Sequence, residues 1–173
     1  MHDQDFTKVI EKSREIIKKR NVNLASVTLA SLVASLSELG ILTQGTVASL
    51  AKYFTPRICA YMLEKGIVDP NKPLAENLKK AFEEYAFTEE DYEVSASDGK
   101  LRVEIATDRC KVCPKGVGGA EIPGSACPVP YFLSICLSIL TNEKWEPKKM
   151  KVGNRIEVVH KEGGKCKMEV ERV

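Results

Sequence analysis

Four cysteines in this chain have the types and spacings to hold a metal ion. Cys110 and Cys113 are separated by two residues, with Pro114 and Gly116 just beyond them. Cys127 follows after thirteen intervening residues. A Cys-x-x-Cys turn aims two thiolates at one point, and a glycine-rich loop brings in a third. Zinc in a closed structural site takes four such ligands, drawn from thiolate and imidazole. Two candidates for the fourth flank the last hairpin. His160 ends one strand and Cys166 begins the next, across the loop 161–165. Residues that bracket a hairpin loop face one another at about 5 Å. Period-two alternation places His160 with Ile156 and Val158, and Cys166 with Met168 and Val170, so both are expected on the core side. Cys166 is the preferred ligand, because a fourth thiolate completes a soft, redox-inert set. His160 is the alternative, or otherwise a hydrogen-bond donor to a ligand. A four-cysteine iron–sulfur cluster is the rival reading of the same residues.

The remaining cysteines read differently. Cys136 lies in the apolar run Tyr131–Leu140 and Cys59 in Ile58-Cys59-Ala60-Tyr61-Met62, so both are expected as small core residues. In a reducing compartment all six cysteines read as ligands or core, not disulfides. No residue is singled out as catalytic. The chain has no dinucleotide fingerprint and no phosphate-binding loop. Gly116-Val117-Gly118-Gly119 is expected only to let the cysteine loop bend. His2 is terminal, so any serine triad would have to use His160. Glu121, Glu157 and Glu162 could serve a catalytic zinc as base, but no spacing selects one.

The elements that must position the thiols fall into two halves, 1–88 and 89–173, of one domain spanning 1–173. Apolar residues at helical spacing predict a helix from Phe6 to Arg20. Leu24–Leu39 is apolar on most sides and is expected as a buried helix, stopped at Gly40. Gln44–Phe54 predicts another helix. Thr55-Pro56 reads as an N-cap with proline at the first helical position, opening a separate helix to Gly66. Pro73 opens an amphipathic helix. Beyond residue 89 the period becomes two. Tyr92–Ala96 and Leu101–Ile105 form a hairpin about Ser97-Asp98-Gly99-Lys100. The cysteine loop 108–128 follows, then a helix from Pro130 to Leu140. Three short strands about Met150, Ile156 and Met168 complete the chain. This is an α+β order, with helices packed on one face of an antiparallel sheet.

Composition narrows the classes. The chain has 173 residues, 29% of them charged, and a net charge of only +2. That is no footprint for direct nucleic-acid binding. Lys18-Lys19-Arg20 ends a helix, where it offsets the helix dipole. The charged first twenty residues do not resemble a secretory signal. Leu24–Leu39 is too short and too polar for a membrane span. A cytoplasmic protein is expected.

The C-terminal half resembles the vinyl-4-reductase domain family, as a small archaeal-type member with extra cysteines. The matching pieces are the helix Val129–Leu140 after a cysteine, Trp145, Glu157-Val158-Val159-His160 and Gly163-Gly164-Lys165-Cys166-Lys167-Met168-Glu169-Val170. The resemblance implies an α+β domain with a hydrophobic cavity that binds a small apolar molecule, often as the sensory part of a regulator. The resulting expectation is a zinc-binding sensor or carrier for a small apolar ligand. The alternatives are a metal- or thiol-dependent reductase of a tetrapyrrole-like vinyl group, and a homodimeric protein–protein module acting through the helical half.

Overall fold

The computed structural model describes residues 6–121 and 125–173, apart from the side chain of Phe6. His2 lies outside the described residues. Four helices come first: α1 (Phe6–Arg20), α2 (Leu24–Glu38), α3 (Gln44–Glu64) and α4 (Leu74–Glu83). The hairpin strands β1 (Tyr92–Ser97) and β2 (Lys100–Ala106) precede helix α5 (Val129–Thr141). Five strands close the chain: β3 (Trp145–Pro147), β4 (Met150–Val152), β5 (Arg155–Glu157), β6 (His160–Glu162) and β7 (Lys165–Arg172). The α+β class expected from the change of period is the one observed.

β7 is the central strand. β2 runs antiparallel along one edge, while β3 and β6 share the other, and β1 lies outside β2. β4 and β5 pair only with each other. On one face of the sheet the register sets Leu101 against Val170, Val103 against Met168 and Ile105 against Cys166. The first two pairs and Ile105 are buried. The thiol of Cys166 therefore stands at the end of a row of core side chains. α5 packs over this region, touching α3, β3 and β7, and it buries Phe132, Leu133 and Leu137.

The helix termini follow local chemistry. The Asn23 side chain accepts from the Ser26 amide at 2.9 Å to open α2. Thr43 and Thr46 form a reciprocal capping box at the start of α3. Gly40, at φ +69°, takes the left-handed turn that stops α2.

The structure corrects four expectations. Residues 44–64 form one helix, not two: Pro56 lies inside α3, and Thr55 is fully buried. Proline removes one amide donor from a helix. Here tertiary packing carries the helix through, with Thr55 and Cys59 on either side of the proline both buried. Second, α2 buries only a face of small residues, Ser26, Ala30, Val33 and Ala34, while Leu24, Leu32 and the following Leu39 remain exposed. Third, the last hairpin turns on Gly163 and Gly164, both at positive φ. This tight turn pairs Lys161 with Cys166 and His160 with Lys167. The register is one residue away from the expected one, which puts His160 on the face opposite Cys166. Fourth, Cys59 of α3 and Cys136 of α5 are buried as expected, but they are joined in a disulfide with Cα atoms 6.1 Å apart. The two helices pack side by side, so two thiols that each read as core meet there.

A four-thiol cavity as candidate site

Cys110, Cys113, Cys127 and Cys166 line one cavity of about 30 Å³. Three separate segments deliver them: the loop after β2, the residue pair leading into α5, and the start of β7. All four thiols are free. Among the described residues, no three or more Cys, His, Asp or Glu side chains are drawn together closely enough to hold a metal ion as they stand. His160 does not line the cavity. Its neighbour Lys161 does, together with Lys115.

The backbone around the sulfurs is arranged for negative charge. The Gly116 amide donates to Cys113 Sγ at 3.3 Å, and the Lys115 amide also lies against that sulfur. The Val112 and Val129 amides do the same for Cys110 and Cys127. Each donor is two or three residues after its cysteine. Amide donors favour the thiolate over the thiol. The Cys110 thiol donates to Cys113, which brings Cys113 down to about 5 against the opposing effect of burial. The same hydrogen bond, then burial, pushes Cys110 well up. Burial pushes Cys127 and Cys166 up as well. Arg20 and Lys161 supply positive charge: Arg20 acts on Cys113 and Cys166, and Lys161 on Cys127 and Cys166.

Three residues that build this site carry no cysteine signal. Arg20, at the end of α1, donates from Nη1 to the Cys110 carbonyl at 2.7 Å. Lys111 lies between the paired cysteines and turns inward. Its Nζ donates to the Arg20 carbonyl at 2.5 Å and sits 3.2 Å from Asp91 Oδ2. The two side chains of this ion pair are only 6% and 5% exposed. Asp91 in turn accepts from the amide and hydroxyl of Thr88. The knuckle is thus pinned from below by a buried ion pair, and Arg20 has a role beyond offsetting a dipole. The only trace in the sequence is a lysine between two cysteines, which has no partner until the fold supplies one. Gly118 holds the far side of the loop. A Cβ there would lie 2.4 Å from the Ala30 carbonyl and 2.6 Å from that of Pro114, so only glycine lets the loop press against α2.

A second concavity lies between α2 and α3. It has a volume of about 750 Å³, walls that include Leu24, Leu29, Leu32, Phe54, Ile58 and Tyr61, and polar groups at Thr28, Arg57 and Glu84. Among the described residues, no helix is long and apolar enough to cross a membrane.

An α+β domain in which three distant segments converge four thiols on one cavity is therefore the class that fold and site define. Residues 40–172 match the model of the MJ0207 family, and the chain belongs to that family. It is also similar to an archaeal protein described as uncharacterized, MJ1342 of Methanocaldococcus jannaschii, with 44% identity over 69 residues. That stretch is 40% of this chain and 56% of the relative, so the chain spans little more than half the relative's length. No solved structure matches. The family match overturns the resemblance to the vinyl-4-reductase family. The motifs behind that resemblance are short, and Gly163-Gly164 serves the positive-φ turn of a tight hairpin. The expectation of vinyl reduction loses its support with it.

Proposed function

We propose that this protein is a zinc-binding domain that carries or senses a small apolar molecule. The observation that carries the metal reading is the convergence of Cys110, Cys113, Cys127 and Cys166 on one cavity, with backbone amides aimed at three of the four sulfurs. Zinc with four thiolates has a net charge of −2, and Arg20 and Lys161 beside the sulfurs offset it. Binding would require the thiols to release their protons, so affinity rises with pH. The small volume of the cavity favours a single ion over a cluster. The test is metal content and absorbance of protein purified without chelator or added metal. One zinc per chain in a colourless solution is expected, lost in Cys166→Ser and kept in His160→Ala. A brown solution containing iron would favour a cluster, and absence of metal would overturn the reading.

The apolar ligand rests on a separate observation, the groove between α2 and α3. Its volume lies within the range of about 300–1,000 Å³ usual for small-molecule sites, and its lining is apolar with few polar groups. Binding of the fluorescent apolar probe N-phenylnaphthylamine is expected in the wild type and absent in Leu32→Asp. Equal fluorescence in both would remove the groove as the ligand site.

A further inference from the structure

A third cavity, of about 400 Å³, lies between the start of α3, the segment leading into Cys127, and strand β5. Its volume also falls in the range of about 300–1,000 Å³ usual for small-molecule sites. Leu42, Ala126 and Ile156 give it apolar walls, while Gln44, Arg155 and Glu157 bring polar groups. It shares no lining residue with the α2–α3 groove.

Glu157 is the informative residue, because it is a buried carboxylate, only 8% exposed. Its Oε2 accepts from the amide and the hydroxyl of Ser125. Its Oε1 accepts from none of the described residues and is open to the cavity. The other buried carboxylates have cations beside them: Asp91 has Lys111, and Glu169 has Arg102 and Lys148. Among the described residues, Glu157 has no lysine, arginine or histidine in ion-pair reach. Leaving a buried charge without a counter-charge is costly, and a cationic group on a ligand would supply one.

The same cavity holds a complementary feature. Arg155 stands two residues before Glu157 in β5, so the two side chains leave one face of the strand. Arg155 is exposed, and among the described residues it has no carboxylate partner, Glu157 included. Exposure thus sets a cation at the rim and a carboxylate at depth, neither neutralising the other. The first turn of α3 adds to the positive side. Its Thr46 and Val47 amides are taken by Thr43, whereas those of Gln44 and Gly45 have no acceptor among the described residues. The helix dipole favours an anion there. Together these groups select a molecule that carries both charges.

We infer that this cavity binds a small zwitterion of the amino-acid type. Its ammonium group lies on Glu157, and its carboxylate on Arg155 and the first turn of α3. Leu42, Ala126 and Ile156 receive its apolar side chain.

The test is isothermal titration calorimetry on the full chain with L-leucine as probe. Two fragments serve as comparators: 4-methylpentanoate, which is leucine without its ammonium group, and isoamylamine, which is leucine without its carboxylate. Saturable binding of leucine is expected, with 4-methylpentanoate at least about 30-fold weaker and isoamylamine at least about tenfold weaker. Glu157→Gln keeps an oxygen for Ser125 and should fold, as circular dichroism verifies, yet lose at least about 30-fold in leucine affinity. Arg155→Ala, at the exposed rim, should lose about fivefold. Leu32→Asp, in the α2–α3 groove, should bind leucine as the wild type does. A wild type that does not bind leucine would overturn the inference, as would unchanged affinity in Glu157→Gln or a loss confined to Leu32→Asp.

Discussion

Replacing Lys111 with methionine tests whether the cysteine knuckle is held from beneath by the buried ion pair. With 3.2 Å between Lys111 Nζ and Asp91 Oδ2, the attraction is about 5 kcal/mol at an effective dielectric constant of about 20. Most of that is offset by the cost of taking two charges out of water. Removing one partner leaves the desolvation cost uncompensated, so the expected loss is about 3–5 kcal/mol. The loss is large beside a typical domain stability of about 5–15 kcal/mol. Urea unfolding of the wild type, Lys111→Met, Asp91→Asn and the double variant measures it. The double variant should cost less than the sum of the singles by about 2 kcal/mol, because neither charge is left stranded. The pH dependence has a definite sign. Burial works to raise the Asp91 carboxyl, but the Thr88 amide, the Lys111 ammonium and the Thr88 hydroxyl together hold it below its ordinary value of 3.8. Its contribution is therefore present above pH 3.8 and is lost as pH falls through the folded-state value. Asp91→Asn should flatten that part of the profile. A Lys111→Met variant within about 1 kcal/mol of the wild type would refute the reasoning, since stranding a buried charge costs several.

Gly118→Ala forces a methyl group against the carbonyls of Ala30 and Pro114, and thermal unfolding should show a loss of about 1–3 kcal/mol. Thr55 Oγ1 is buried without a hydrogen-bond partner, so Thr55→Val should raise stability by about 1 kcal/mol in the same assay. The Cys59–Cys136 disulfide spans 77 residues of sequence. On the chain-entropy account, replacing both cysteines with alanine should cost about 4 kcal/mol in denaturant unfolding, and mass spectrometry of the alkylated wild type should find only four free thiols to modify.

Much of the architecture was legible because local chemistry and long-range packing agree there. Asp98-Gly99 between two alternating runs gave the β1–β2 hairpin, and Gly40 marked the end of α2. Spacing marked Cys110, Cys113 and Cys127 as candidates, and the fold sets all three in the lining of one cavity. Where tertiary structure overrules local preference, the sequence misled. Thr55-Pro56 has every local mark of a helix start, yet packing against α5 carries α3 straight through it. The last hairpin was misread by one residue, because a two-glycine turn is shorter than the loop assumed. In a strand, one residue is enough to exchange His160 for Lys161 beside the thiols. Arg20 and Lys111 were out of reach for another reason. Their partners lie 90 residues away in one case and on the far side of the β1–β2 hairpin in the other, and nothing in the neighbourhood of either residue marks the pairing. The apolar face of α2 read as core because hydrophobic periodicity does not distinguish a face packed within the chain from one left open.

The position of α5 sets how the molecule comes apart. This helix is covalently joined to α3 at Cys136, stacked on β3 and β7, and buried through Leu133 and Leu137, whereas at the other extreme none of the described side chains of α1 is fully buried. Opening free energy therefore rises steeply from α1 to α5. Amide hydrogens of α1 exchange with solvent through local fraying, while those of α5 must wait for the whole domain to open. Any partner that captures α1 thus works on the softest part of the molecule and leaves the stiffest part, into which Cys127 leads, undisturbed.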